Sequence, residues 1–361
     1  MNIGFVSTWN KRGTKYQTKF LAEHILHKHQ LFFFFYKKIE FEKDEKKQLN
    51  YTFKKSPKIK YILKWAIQKK LDVIFFIDKQ DDYLDLELFH KKGIKTITTI
   101  MYEEITQNNL KELACFSYVL CPVKCTYDLL REKGLSNLVF IRWGVDSQWV
   151  SRSSVVNLRK EIFFLFNAGW GGVQWRKNPL AVVEAFDIAS KSDDSIYLMF
   201  KTQLPVKKYE TEVQEIIKNN QNIIVIEDNL SQAQLMSLYS KCSVSLLPSK
   251  WEGIGIPFLE SLAMGLPVIT VDSPPMNEWV LDGDNGYCCK LAREETRKTR
   301  AGDEKFVKAI MVDTEDLAQK ILLLADRDNQ LKMSKNAIKS VVDSGEGFQT
   351  NLNKFLDSLH Y

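Results

Sequence analysis

Apolar residues along the chain form short runs set apart by stretches of helical spacing. Ile3–Val6, Leu31–Tyr36, Val73–Ile77, Thr96–Ile100, Val119–Cys121 and Val139–Ile141 read as strands. Lys15–His29 reads as a helix with Phe20, Leu21 and Ile25 on one side. The rhythm restarts after residue 150, with strands Ile162–Phe166, Ile196–Phe200, Ile223–Ile226, Val244–Leu247 and Val268–Val271. Helices are predicted between them at Asn178–Lys191, Lys207–Asn219 and Ser231–Lys241. The last opens on Ser-Gln-Ala-Gln, a capping box in which Ser231 and Gln234 satisfy amides at the helix start. Strand runs alternating with helical spacing imply βα units and a mostly parallel sheet.

This pattern predicts an α/β chain of two Rossmann-like domains facing across a cleft lined by strand carboxyl ends, where open α/β sheets bind ligands. The domains are placed at 1–150 and 151–345, joined through the polar, serine-rich segment Asp146–Arg159. Residues 293–305 are charged and poor in apolar side chains, which predicts a mobile loop or exposed insertion. Helices are expected near 314–327 and 329–343. A C-terminal helix within 346–361, centred on Asn351–Leu359, is expected to pack back on the first domain.

Length and composition agree with this. At roughly 100–200 residues per domain, 361 residues make two domains. The cysteines are Cys115, Cys121, Cys125, Cys242, Cys288 and Cys289, and no histidine lies between His90 and His360. The spacing therefore favours reduced core thiols of a cytoplasmic protein over a zinc site. Met1 leads directly into Asn-Ile-Gly-Phe-Val-Ser, which reads as a first strand and not as a leader. The aromatic run Leu31–Tyr36 is too short to span a bilayer. The net charge of +6 is uneven: residues 37–71 hold twelve lysines against four acidic residues. Such a face suits an anionic membrane surface or an acidic ligand. No signature interleaves aromatics with these lysines for RNA, so no nucleic acid is expected.

The chemistry concentrates in Ser249–Thr270, SKWEGIGIPFLESLAMGLPVIT. The predicted strand Val244–Leu247 runs into Pro248-Ser249 and then a glycine-rich bend, and a helix can start at Pro257. Gly265 and Pro267 stop that helix. Gly253 and Gly255 permit close backbone approach. The amides of Gly253, Ile254, Gly255 and Ile256 lie at a helix amino end, which attracts phosphate. Glu252 before the bend and Glu260 after it are hydroxyl acceptors, and a vicinal diol can give one carboxylate two hydrogen bonds. Ribose, diphosphate and sugar together make a sugar nucleotide.

The span Glu252 to Glu260 resembles the two-glutamate signature of the group-1 (family four) retaining glycosyltransferases, which have the GT-B fold. Asp272–Trp279, Leu238-Tyr239 and Gly144-Val145-Asp146 are similar to further segments of that family, with Trp143 in place of an asparagine. The resemblance implies that Glu260 holds the ribose and Glu252 the donor sugar. It places the cations of the diphosphate clamp after the first strand of the second domain, where Lys177 matches the lysine. The usual arginine position falls on Gly172, and Arg176 is the substitute. Gly13 and Thr14, after the first strand, match the family's first glycine loop. Where many members carry a histidine or aspartate in the acceptor cleft, this chain reads Met101-Tyr102-Glu103-Glu104, with Glu103 or Glu104 as a stand-in or simply a helix start.

What the resemblance implies is a retaining, metal-independent hexosyltransferase without cofactor. It would use a nucleoside-diphosphate sugar and a glycan, lipid-linked or protein acceptor, in cell-surface polysaccharide or glycoconjugate synthesis. Peripheral contact with the inner membrane face through the basic domain is part of this expectation. The second reading is a catalytically degenerate binding protein of the same fold, favoured by the glycine at 172 and the missing histidine. Asp282-Gly283-Asp284-Asn285-Gly286 contains Asp-x-Asp and begins like a calcium loop, but its order suits a turn between helix and strand. Gly253-Ile254-Gly255 lacks the third glycine of a dinucleotide fingerprint.

Overall fold

The computed structural model describes residues 1–9, 13–41, 49–55, 58–77, 83–156, 160–169 and 173–359. Two compact units emerge from its contacts. The first comprises Met1–Met101, Ile105–Arg142 and Gln349–Tyr361; the second comprises Tyr102–Glu104 and Trp143–Phe348.

The first unit is a seven-stranded parallel sheet. Its strands are β1 (Asn2–Trp9), β2 (Gln30–Ile39), β3 (Tyr51–Lys54), β4 (Val73–Phe76), β5 (Lys95–Thr99), β6 (Tyr118–Cys121) and β7 (Leu138–Phe140), in the order β3-β2-β1-β4-β5-β6-β7. The run Leu31–Tyr36 shows why it is a sheet covered on both sides. Phe32, Phe34 and Tyr36 enter one core cluster with Ile62, Trp65 and Phe89. Phe33 and Phe35 alternate to the other face, where Phe33 and Phe75 stack on Phe5 at 5.5 and 5.2 Å. A strand apolar at every position needs a helix layer on each face, which parallel crossovers supply.

The second unit holds β8 (Ile162–Gly169), β9 (Ile196–Thr202), β10 (Ile223–Ile226), β11 (Val244–Leu246), β12 (Val268–Val271) and β13 (Gly286–Cys289). Their order is β10-β9-β8-β11-β12-β13, all parallel. Both units have the doubly wound Rossmann order, in which the strand sequence reverses beside the first strand. In the second unit that switch point lies between β8 and β11.

Several elements differ from the sequence expectation. The lysine-rich stretch contains β3 and helix α1 (Ile59–Gln68), whose Ile59, Ile62, Trp65 and Ala66 are buried while Lys60 and Lys64 face solvent. Burial of each large apolar side chain there contributes about 1.5–3 kcal/mol, so a lysine-dense segment still folds as one amphipathic helix. The segment Asp146–Arg159, read as a linker, packs into the second unit over its described part. Trp149 is buried edge-on against Tyr239 at 5.2 Å, and the Ser153 hydroxyl donates to the Ala263 carbonyl at 2.6 Å. The contact boundary between the units falls at Arg142/Trp143, where the sequence reading set the break at 150.

Of the two expectations for residues 293–305, the exposed insertion holds for most positions and the loose loop does not. These residues continue an antiparallel hairpin of β14 (Leu291–Glu295) and β15 (Ala309–Val312), and Arg297 and Lys305 in its connection are buried. The two helices expected at 329–343 and 351–359 are one, Arg327–Ser358. Met333, Ala337, Val341, Phe348, Leu352 and Leu356 form a buried stripe along it, so packing carries the helix through Gly345 and Gly347. Among the described residues no helix is long and apolar enough to cross a membrane.

Candidate functional site

The site is built where β8 and β11 end, at the switch point of the second sheet. After β8, a single helical turn, Val173–Arg176, delivers Arg176 and Lys177. After β11, Leu247–Gly255 forms the bend that carries Glu252. A backbone bond ties the two loops, from Lys250 N–H to the Arg176 carbonyl at 2.8 Å. Residues seventy-five positions apart are thereby brought into one cluster.

Glu252 is buried and lies between two cations. Arg176 Nη1 donates to its Oε2 at 2.5 Å, and Lys177 Nζ donates to its Oε1. Lys177 is also buried, while about a quarter of the Arg176 side chain remains exposed. Burial pushes the Glu252 carboxyl up, but the charges of Arg176 and Lys177 outweigh it and hold the group at about 2. Burial lowers the Lys177 ammonium against the pull of Glu252. The Glu252 carboxylate raises the Arg176 guanidinium.

The bend leads into helix α2 (Ile256–Ala263) as the sequence predicts, with Pro257 in its first turn. Gly255 is the N-cap in the left-handed region, φ 86°, a conformation that suits glycine. The Trp279 indole N–H donates to the Ile254 carbonyl at 2.6 Å and pins the bend from below. Gly265 takes φ 77° after the helix and stops it.

Glu260 is a buried member of α2, 8% exposed, and among the described residues no hydrogen bond reaches its carboxylate. Burial pushes it up to about 8, with Lys177 pulling down and Asp146 pushing up. A buried carboxyl without a partner is costly unless it stays neutral or meets a donor. Hydroxyls of a ligand would supply that donor.

Glu103 also belongs to this unit. Its Oε2 is fully buried, with no hydrogen-bond partner among the described residues. A Cβ built at Gly253 would lie 2.3 Å from that oxygen, so only glycine lets the carboxyl rest on the bend. Burial, reinforced by the charge of Glu252, pushes Glu103 up to about 7. Tyr102–Glu104 is a short helical turn, as one of the two readings left open for Met101–Glu104 expected, and it sets the Glu103 carboxyl beside the bend. Glu104 instead pairs with Lys305 at 2.6 Å.

The structure thus gathers Arg176, Lys177, Glu252, Gly253, Ile254, Gly255, Ile256 and Glu260 into one region. Gly13 and Thr14 lie in the first unit, at the start of the helix Gly13–Ile25, where the Thr14 and Thr8 hydroxyls are 2.7 Å apart. Gly172 and the glycine-rich stretch around it, and Asn10–Arg12, lie outside the described residues. Asp282–Gly286 is the turn that the sequence order suggests. Gly283 has φ 74°, and the buried Asn285 side chain accepts from Leu281 N–H and donates to the Trp279 carbonyl.

Sequence reasoning missed Arg297 and Trp251. The Arg297 guanidinium lies 3.9 Å from the centre of the Trp251 ring, next to Glu252 in the chain. Arg297 is one of several charges in a polar stretch, and nothing local marks it.

Residues 156–298 match the family model described as glycosyl transferases group 1. An uncharacterized glycosyltransferase of Methanocaldococcus jannaschii is 28% identical over 149 residues, 41% of this chain and 42% of that protein. The chain matches less than half the length of the curated relatives it resembles. A glycosyltransferase from Rickettsia africae has a TM-score of 0.76 at 15% identity, covering 99% of this chain and 97% of that one. The pneumococcal O-GlcNAc transferase GtfA, solved with UDP and GlcNAc, has a TM-score of 0.69 at 13% identity, covering 100% and 98%. The switch-point cluster lies inside the residues that match the group 1 glycosyl transferase model, apart from Glu103, and the chain has the GT-B fold of these glycosyltransferases.

Proposed function

We propose that the chain is a retaining, metal-independent glycosyltransferase that moves a sugar from a nucleoside-diphosphate sugar to a glycan, lipid-linked or protein acceptor. The observation that carries this is the buried Glu252–Arg176–Lys177 cluster at the switch point, set against a glycine bend and a Glu260 carboxylate that meets no hydrogen-bond donor among the described residues. Two cations sharing one carboxylate retain net positive charge, and the bend adds backbone amides at a helix amino end. A diphosphate fits that field. A diphosphate arriving there draws Arg176 and Lys177 toward itself and frees Glu252 to accept hydroxyls of the donor sugar. Glu260 takes the ribose diol.

The chemical step follows from the resemblance. The bond from the anomeric carbon to the diphosphate breaks, and the bond to the acceptor oxygen forms on the same face. The acceptor proton passes to the leaving diphosphate oxygen, so no protein nucleophile is needed. Arg176, Lys177 and the 253–256 amides act where negative charge grows. The UDP and sugar bound by GtfA favour a UDP-sugar as donor. The first unit, with Gly13 and Thr14, is assigned to the acceptor. Its exposed Lys54, Lys55, Lys58, Lys60 and Lys64 suit a cytoplasmic enzyme working at the inner membrane face in cell-surface polysaccharide or glycoconjugate synthesis.

Calorimetry against UDP, GDP and ADP tests the reading, with Glu260→Ala as control. Binding of one nucleotide, weakened at least tenfold in the variant, is expected. Absence of binding to all three would sink it.

A further inference from the structure

Arg297 is 7% exposed, yet no carboxylate forms an ion pair with it among the described residues. Its Nη1 donates to the carbonyls of Glu103 at 3.1 Å and Val307 at 3.3 Å, and its plane is held by the Trp251 ring. The remaining Nε and Nη2 donors make no hydrogen bond among the described residues. The hairpin that carries Arg297 is fastened to the signature loop, through Ile310 N–H donating to the Lys250 carbonyl at 2.8 Å. The guanidinium is therefore fixed in position and orientation beside the bend, with part of its fork unused.

Packing alone does not account for it. Taking a guanidinium out of water costs several kcal/mol unless an anion compensates, and an apolar side chain would fill the same space without that cost. The nearby acids compensate only in part: Glu103 and Glu104 pull the guanidinium up, but burial outweighs them and lowers it, and neither makes an ion pair with it. Glu252 is already shared by Arg176 and Lys177. Glu104 is paired with Lys305. Glu103 has its Oε2 buried against Gly253 without a hydrogen-bond partner among the described residues. A buried, oriented guanidinium with no ion-pair partner among the described residues, beside an orphaned carboxyl oxygen, describes a place where a ligand carrying both an oxyanion and a donor completes the bonding.

We propose that Arg297 is an oxyanion-binding residue of the substrate site, receiving a phosphate or carboxylate group through its open edge while Glu103 accepts a hydroxyl of the same ligand. The planar fork of arginine suits either anion. This rests on the sugar-nucleotide reading above and extends it to a hairpin that the local sequence does not mark. The oxyanion can come from the donor diphosphate or from an acidic sugar.

The test measures dissociation constants of the full chain for inorganic pyrophosphate, UDP, UDP-glucose and UDP-glucuronic acid by calorimetry. Arg297→Gln and Arg297→Lys are compared with Lys305→Gln, which alters the same hairpin away from the open edge. If Arg297 reads the diphosphate, Arg297→Gln weakens pyrophosphate and UDP by about 10- to 100-fold, as expected for a charged hydrogen bond. If it reads an acidic sugar, only UDP-glucuronic acid weakens. In both cases Arg297→Lys restores part of the loss and Lys305→Gln binds as wild type. Wild-type binding of every probe by both Arg297 variants would overturn the proposal, and Arg297→Lys decides the matter if Arg297→Gln fails to fold. Wild-type protein that binds pyrophosphate through Arg297 but no nucleotide would remove the sugar-nucleotide reading and keep this one. Binding of no probe would remove both.

Discussion

Replacing Glu252 by glutamine keeps the shape of the side chain and removes the charge that two buried cations share. Lys177 is 3% exposed and Glu252 is 4% exposed, so water does not replace the lost partner. The carboxyl is held at about 2 against an ordinary 4.5. At about 1.36 kcal/mol per pH unit that gap amounts to about 3 kcal/mol. Breaking a buried ion pair from one side typically costs about 3–5 kcal/mol, which agrees. The sign follows from the lowered value. The contribution is present above the unfolded carboxyl range and is lost as pH falls toward about 2, so at pH 7 the variant lacks all of it. The second unit of Glu252→Gln should melt about 6–20 °C lower. The ligand effect should run the other way. On the proposed reading a diphosphate competes with Glu252 for Arg176 and Lys177, so the variant should bind pyrophosphate at least as tightly as wild type and regain stability when saturated, by about 2.7 kcal/mol at a hundredfold excess over Kd. Thermal melts followed by tryptophan fluorescence, with and without pyrophosphate, read both effects. An unchanged melting temperature, or weaker pyrophosphate binding by the folded variant, would refute the reasoning.

Glu260 gives a pH test of opposite sign. Its carboxyl is pushed up to about 8, so the folded chain keeps a proton that the unfolded chain releases near about 4.3. Stability from this group falls as pH rises across that window. Glu260→Gln removes the slope, so its melting temperature relative to wild type should climb between pH 5 and 8; a constant difference would contradict the burial argument. Trp279→Phe deletes the indole donor to the Ile254 carbonyl and leaves that buried acceptor unpaired, a loss of about 1–3 kcal/mol. Denaturant titration should show it, together with faster exchange of the bend amides, and retained protection of Ile254 and Gly255 would mean that the bond does not hold the bend.

The strand runs, the capping box at Ser231 and the helix stop at Gly265 were legible because each depends on residues close in the chain. The two-glutamate bend was legible for the same reason. Strand, proline, glycine bend and helix start are consecutive, and their backbone preferences are local. The helix within the lysine-rich stretch was hidden because charge density masked the face made by Ile59, Ile62 and Trp65. The unbroken helix Arg327–Ser358 was hidden because local glycines argued for a break that burial of Phe348 and Leu352 overrides.

By itself, then, the sequence determined the parallel α/β class, the bend and the residue types on which the proposed sugar-nucleotide site rests. Only the tertiary structure decided how those residues are charged and partnered. Arg176 and Lys177 meet Glu252 because β8 and β11 are neighbours in the sheet, a fact of strand order and not of spacing along the chain. Glu103 and Arg297 reach the same bend from 149 residues before and 45 after Glu252. Their chemistry comes from burial, and burial depends on the whole of the packed unit.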